Sequence, residues 1–514
     1  MNISRWFKTI HIRRISQICF LFLFLFLFRK TDYPGREIIG YPVNLFFCWN
    51  PFIALSVMLI TQTTMIIFIP VLFVIGLTLI FGRVFCSWIC PMGCLLDIFQ
   101  RLLSAKPEKK VAFPEINNHI MIVSLIAALF GLQLAGYVDP FAILFRGLAF
   151  VIDPVLNISV TGFFDYLYLN GPEWFSAVSE PVYQFLKKTL LPYQRTIFVS
   201  TGISFVILFS VFLLEMIERR FWCKKMCPLG ALLSFISRFS MFRRFPKKLC
   251  TTCESCEPHC RMGAFGDQGH HFDSQCSRCL ECYQICPQDR VKFTFKLFHK
   301  KGMSLNISRR HFVGSTIFGA ALPFINAVDA QHKIPHPYLL RPPGALKEKQ
   351  FQDVCIRCGE CMKVCITNAL QPTLFETGWT GLFSPRLIPR LGYCEFNCNL
   401  CGQVCPTGAI QRLSRDQKHH TVIGKAVFDK NRCLPYAKHT PCIVCEEHCP
   451  VYNKAIQYET VFVKDKNGQN IEIKQPYVVE DRCIGCGICE NKCPLPGESA
   501  IRVRRERLGS HLNY

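Results

Sequence analysis

Twenty-four cysteines fall into six groups of four with the spacing of iron–sulfur ligands. Cys250, Cys253, Cys256 and Cys260 form the first, and Cys276, Cys279, Cys282 and Cys286 the second. Further along come Cys355, Cys358, Cys361 and Cys365, then Cys394, Cys398, Cys401 and Cys405. Cys433, Cys442, Cys445 and Cys449, and finally Cys483, Cys486, Cys489 and Cys493, complete the series. Two-residue gaps let three thiolates grip three irons of one cubane from a tight loop. The fourth cysteine, usually before Pro, starts the next element and ligates the neighbouring cluster. About six 4Fe–4S clusters are expected on this rule. Zinc also accepts four thiolates, but it needs no C-x2-C-x2-C-x3-C-P cadence. The pattern has exceptions: Arg261 and Ile366 replace Pro after Cys260 and Cys365, Cys394 has a three-residue gap, and eight residues separate Cys433 from Cys442. Cys433 is the weakest of the expected ligands.

The swap rule pairs Cys286 with Cys250, Cys253 and Cys256, and Cys260 with Cys276, Cys279 and Cys282. For the last four groups spacing alone does not fix the pairing; first with fourth and second with third is the expected arrangement. A second constellation is repeated: RVFCSWICPMGCLLDIFQRL (83–102) and RRFWCKKMCPLGALLSFISRF (219–239) align so that Cys86 matches Cys223 and Cys90 matches Cys227. Each presents C-x3-C-P-x-G, and on a helix the thiols would share one face. These four cysteines are candidate cofactor ligands. Cys94 aligns with Ala231 and falls outside the pattern. Cys19 and Cys48 stand alone and read as buried apolar thiols. No C-x2-C-H haem motif, Gly-rich nucleotide loop or hydrolytic constellation occurs. Electron transfer is the chemistry left, with proton release from a quinol as the one bond-breaking step.

The elements that must hold these groups divide the chain. Half of it is hydrophobic, with 46 Phe and a formal charge of +23; the apolar excess lies before residue 215 and the cysteines mostly after it. An odd total of 31 Cys argues against a disulfide framework. Spans are expected at 15–28, 52–81, 119–136 and 196–214, by length and hydropathy. Counted from an inside start, they put 83–117 and 215–310 in the cytoplasm. Every basic cluster (101–110, 219–225, 243–248, 296–310) then lies on one side, as cytoplasmic flanks require. The charge is thus topological, and no nucleic-acid partner is expected. The connection YVDPFAILFRGLAFVIDPVL (137–156) reads as one or two helices at the outer membrane surface, where Asp139 or Arg146 would border a quinol pocket. Residues 307–330, ISRRHFVGSTIFGAALPFINAVDA, carry Ser308, Arg309, Arg310 and Phe312 where a twin-arginine export signal has its recognition residues. Such a signal would carry everything after residue 330 outward, whether or not cleavage follows Val328-Asp329-Ala330. The expected fold is multidomain. A four-span α-helical membrane bundle (1–240) precedes a cytoplasmic two-cluster α+β ferredoxin-like domain (241–300), a signal or anchor helix (301–335) and a periplasmic four-cluster ferredoxin domain (336–514).

On these motifs the first 300 residues resemble the NapH-type membrane ferredoxin subunits of quinol dehydrogenases, through FCSWICPMG, WCKKMCPLG and the two tetracysteine groups that follow. Residues 305–514 resemble the NapG and MauM-type periplasmic ferredoxins, including CLPYAKHTPCIVCEEHCP at 433–450. The resemblance implies a fusion of two normally separate proteins in a bacterial inner membrane. It further implies oxidation of menaquinol or ubiquinol, with electrons passed to a periplasmic cytochrome c or terminal reductase of nitrate or nitrous oxide type. The membrane half also resembles FixG-type proteins, which implies an alternative: an electron donor for maturation of an extracytoplasmic metal centre. The four-cluster tail counts against that. Either the quinone connects the inner and outer clusters, or the C-x3-C-P thiols hold an additional centre.

Overall fold

The computed structural model describes residues 3–505 apart from 34, 36, 65, 103–115, 171–172, 190, 193–195, 247–255, 266–270, 287–289, 296–308, 332–335 and 465–469. Cys250, Cys253 and Ser308 lie outside the described residues. The chain divides into two compact units. One comprises Met1–Arg29, Pro42–Leu148 and Gly202–Val328, the other Lys30–Tyr41, Ala149–Thr201 and Asp329–Tyr514. Segments 30–41 and 149–201, read from sequence as membrane domain, thus cluster with the C-terminal ferredoxin region.

The first unit is built on a duplication longer than the C-x3-C-P repeat. Its first half runs through helices Leu45–Cys48, Pro51–Thr61, Pro70–Phe81, Phe85–Trp88 and Pro91–Leu102. The second runs through Ala135–Val138, Pro140–Gly147, Thr201–Ile217, a π-turn at Trp222–Met226 and Pro228–Ile236. Each half begins with a short helix followed by a polar residue and Pro-Phe. Pro at the first helical position suits the fixed φ of a helix start, and the polar residue before it caps the exposed N–H groups. Asn50 accepts from the backbone N–H of Phe52 and Ile53 (3.0 and 3.3 Å). Asp139 accepts from Phe141 and Ala142 (3.0 and 2.9 Å). The two caps also bond to each other, Asn50 Nδ2 donating to Asp139 Oδ1.

The first expected span, 15–28, lies within one continuous helix, Ile3–Lys30, whereas the other three are shorter or broken. The 52–81 stretch divides because Gln62 takes left-handed backbone within the polar run Thr61–Thr64 and Pro70 opens a new helix. The third ends at Leu129, ahead of Gly131 in left-handed backbone, and the fourth runs Thr201–Ile217. Among the described residues, two helices, His11–Lys30 and Pro140–Asn170, are long and apolar enough to cross a bilayer by length and composition. The helix bearing the twin arginines, Arg309–Gln331, packs on Asn117–Leu129: His119 Nδ1 and Ser315 Oγ are 2.6 Å apart, and Phe130 meets Phe324 at 6.1 Å between ring centres. An antiparallel pair, Phe242–Pro246 with Val291–Phe295, closes off the segment that carries the first two cysteine groups.

The second unit carries two long helices, Asp153–Asn170 and Glu173–Thr189, and in its ferredoxin region three antiparallel pairs: Leu370–Pro372 with Pro385–Leu387, Lys425–Phe428 with Ile501–Arg504, and Ile456–Lys464 with Asn470–Val478. Its helices in the ferredoxin region are short, four to seven residues each. Buried Lys363, between two cluster cysteines, is paired with Asp32 and Asp153, each at 2.8 Å.

Candidate metal centres

In three of the groups with an unbroken C-x2-C-x2-C run, the residues on either side of the second cysteine are left-handed. They are Arg278 and Leu280 (φ 53° and 62°), Arg357 and Gly359 (56° and 96°), and Gly485 and Gly487 (72° and 81°). Alternating handedness bends the chain twice within a few residues, so that successive thiols converge and backbone N–H groups turn toward an anion. A side chain in this conformation costs about 1–2 kcal/mol. Arg357 is held there by bonds from its guanidinium to the carbonyls of Cys355 (2.8 Å), Gln352 (3.1 Å) and Thr380 (2.7 Å).

Four cavities are each lined by four thiols. Cys260 joins Cys276, Cys279 and Cys282, as the swap rule requires. Cys405 joins Cys355, Cys358 and Cys361; Cys493 joins Cys433, Cys442 and Cys445; Cys449 joins Cys483, Cys486 and Cys489. A fifth set is seen in the mutual electrostatic influence of Cys365, Cys394, Cys398 and Cys401. Of the sixth, Cys286 packs against the buried cluster of Cys256, Phe265 and Val291. The pairing expected for the last four groups is therefore corrected: first goes with second and third with fourth. Closing the shorter loops between adjacent groups loses less chain entropy than joining the outermost ones. Cys433, the weakest expectation from spacing, is buried within its set.

These sets fit iron–sulfur clusters. In the five sets that lie wholly within the described residues the donors are four thiols each. Backbone N–H groups donate to several of them: Ala264 to Cys260 and Arg290 to Cys286 (3.3 Å each), Ile410 to Cys405 and Ala426 to Cys483 (3.4 Å each). Burial pushes the Cys401 and Cys489 thiols well above their ordinary range, so as cluster ligands they would have to give up their protons on binding. The corrected pairing predicts a pattern of non-additivity. Adding Cys405→Ser to Cys358→Ser should cost no further iron, because both serve one site. Adding Cys365→Ser to Cys358→Ser should remove a second cluster's iron and sulfide, which elemental analysis reads directly.

The C-x3-C-P motifs do not lie on one helical face. In each, the chain breaks before Pro91 or Pro228, leaving Cys90 and Cys227 at the start of a new helix, where Cys227 Sγ accepts from Gly230 N–H (3.3 Å). Arg83 reaches across to the Cys223 carbonyl and Arg220 to the Cys86 carbonyl, both at 3.1 Å. Glycine makes room on both sides: a Cβ at Gly93 would stand 2.8 Å from the Cys86 carbonyl oxygen, and one at Gly230 would displace the Arg83 guanidinium. Arg220 also forms a bidentate pair with buried Asp97 (3.0 and 2.8 Å). Asp97 in turn accepts from Gln17 (2.8 Å) and pairs with Arg261 (2.7 Å). Beyond Arg261 the chain of charges continues to Glu281 (2.5 Å) and Arg13 (2.9 Å). Burial would raise the Asp97 pKa, but Arg220 and Arg261 hold its carboxyl well below the ordinary range.

Asp139 and Arg146, expected beside a quinol, are both buried. Asp139 caps its helix as described, and Arg146 Nη1 donates to the Gly136 carbonyl (2.9 Å). These contacts give both a part in shaping the backbone and add nothing to a quinol role. Cys48 is buried as expected, whereas Cys19 is exposed on its helix. Asn50, Arg83, Asp97 and Arg220 were not singled out from sequence; the signal available was the pairing of N-P-F with D-P-F and the arginine three residues before the first cysteine of each motif.

Two sequence families, each described as a 4Fe-4S binding domain, match the chain, one over residues 63–110, 197–248 and 401–426 and the other over 349–371 and 476–495. The chain is 37% identical over 173 residues to the methylamine utilization ferredoxin-type protein MauM of Methylorubrum extorquens, covering 33% of this chain and 74% of that protein. It is 31% identical over 228 residues to MauM of Methylophilus methylotrophus, covering 44% of this chain and 91% of that one. It is 34% identical over 182 residues to the ferredoxin-type protein NapG of Escherichia coli, covering 34% and 76%. No solved structure matches it. With its thiols gathered into cluster-sized sets and most of each relative's length covered, the chain belongs to the MauM and NapG family of ferredoxin-type proteins and is an iron–sulfur electron-transfer protein.

Proposed function

We propose that the chain is a membrane-bound quinol dehydrogenase component. It takes electrons from menaquinol or ubiquinol and delivers them to a periplasmic cytochrome c or a terminal reductase of nitrate or nitrous oxide type. The observation that carries this reading is the joining, in one chain, of a MauM- and NapG-like ferredoxin with a unit of apolar helices bearing two more cysteine groups. When bound, the clusters supply one-electron carriers whose potentials the surrounding N–H groups and solvent exposure tune. The protein's own part is to fix the thiols, keep water from them and hold compensating charge nearby. In this reading the two-cluster segment faces the cytoplasm, the helix with Arg309 and Arg310 remains as an anchor, and the four-cluster region lies in the periplasm. The segment 137–156, around Asp139 and Arg146, is the proposed quinol-docking region.

The test is to purify the protein anaerobically with oxidised clusters, add a reduced menaquinol analogue and follow the broad iron–sulfur absorbance, with dithionite marking full reduction. Quinol should bleach it. Bleaching by dithionite with none by quinol would sink the quinol reading.

A further inference from the structure

The six tetracysteine groups leave four other cysteines brought together in the first unit. Cys86, Cys90, Cys223 and Cys227 are all buried, and a single guanidinium, that of Arg83, donates both to Cys86 Sγ (3.4 Å) and to the Cys223 carbonyl (3.1 Å), so the two motifs lie side by side. Neither motif is a site by itself, since each offers two thiols and a cluster of the cubane or rhombic type takes four protein ligands. Cys94 is the extra thiol of the first motif. Its counterpart in the second motif is Ala231, so it is no ligand.

The surroundings of the four thiols are made for negative charge. Cys90 and Cys227 open helices, where unpaired N–H groups and the helix dipole favour an anion. Arg83 is buried, donates from Nε to Cys86 Sγ at 3.4 Å and crosses to the other motif with Nη2. Arg220 is likewise buried and crosses the opposite way. Reciprocal arginines on reciprocal motifs, with glycine at both crossing points, mean that the halves are fitted to each other at this spot and that neither half completes it.

We propose that Cys86, Cys90, Cys223 and Cys227 form one four-thiolate site, shared between the two halves of the duplicated unit, that binds a single additional iron–sulfur cluster. Arg83 and Arg220 are its positioning and charge-compensating residues. The proposal rests on reading the chain as a multi-cluster electron carrier, but not on quinol being the donor.

The experiment uses the full chain, loaded anaerobically, with iron and acid-labile sulfide counted per polypeptide and the clusters resolved by Mössbauer spectroscopy. Wild-type protein should carry the six tetracysteine clusters and one more. Cys90→Ser with Cys227→Ser should lose iron and sulfide together, to the extent of one cluster, while Cys94→Ala loses none. Arg83→Gln keeps every thiol and should keep iron and sulfide content, but should shift the redox midpoint of one cluster and leave the rest in place. Wild-type protein with iron and sulfide for only the six tetracysteine groups would overturn the proposal, whatever the variants do. So would unchanged content in the double serine variant, loss of metal without sulfide, or an Arg83→Gln titration identical to wild type. If quinol bleaches no cluster while the double variant still loses one, the quinol reading fails and the shared site stands.

Discussion

Stripping iron from the oxidised protein should unfold the 336–505 region outright. The ferredoxin part of that unit has helices of four to seven residues and two of its three strand pairs only three or four residues long. Helices this short are not stable by propensity, and small cores seldom suffice without a staple. Many of the buried side chains are the ligands themselves: Cys355, Cys358, Cys361, Cys433, Cys445, Cys483, Cys486 and Cys489. A metal-dependent fold draws its folding free energy from ligation, and structural zinc sites supply about 10–16 kcal/mol; this region has four sets of thiols to lose. Incubation with a strong chelator and oxidant, followed by limited proteolysis, should cut 336–505 to small fragments while the apolar helices of the other unit survive. A C-terminal region that stayed protease-resistant without iron would mean that its loops are held by packing.

The second large effect is expected at Asp97. Its carboxylate is buried, and its loss would leave Arg220 and Arg261 facing each other without the shared counter-charge. Breaking a buried pair from one side costs about 3–5 kcal/mol, because the remaining charge stays desolvated. Asp97→Asn should therefore lower the thermal midpoint of the detergent-solubilised protein substantially, with Asp97→Glu a partial substitute. Gln17→Ala, which removes one neutral donor to the same carboxylate, should cost only about 0.5–1.5 kcal/mol. The pH dependence has a definite sign. Since the folded carboxyl lies below the unfolded value of about 3.9, its contribution is complete above roughly pH 4 and is lost as pH falls toward the folded pKa. Asn at this position should therefore remove part of the acid sensitivity along with the stability. Equal melting of the Asn variant and wild type at pH 7 would contradict this account.

How far the sequence reveals these sites differs by level. Cysteine spacing identifies the cluster loops because ligand number and loop reach are local properties, and the Cys260 exchange with the second group follows from the same local rule. The pairing of the last four groups does not follow, because it depends on how the chain between groups is folded back, for instance by the short Leu370–Pro372 and Pro385–Leu387 pair. Composition marks the apolar segments but not their breaks; Gln62 and Pro70 divide a stretch that hydropathy reads as one. The duplication is visible at C-x3-C-P and fades upstream, where Asn50 and Asp139 do the same capping with different side chains and segment 149–201 intervenes. Arg220 was one charge among many in a basic cluster. Its task is set by Asp97 and by the Cys86 carbonyl, neither of which proximity in sequence would suggest.

The reciprocal crossing of Arg83 and Arg220 also has a bearing on the order of synthesis. Cys86 precedes Cys223 by 137 residues (223 − 86), which at about 5–20 residues per second is about 7–27 s of translation. Throughout that interval the first half has emerged with a buried-type arginine and two thiols whose counterparts have not yet been made. The first motif is therefore the stretch of nascent chain most in need of protection, and slowing the ribosome between codons 102 and 219 should lower the yield of intact protein more than slowing it after codon 240.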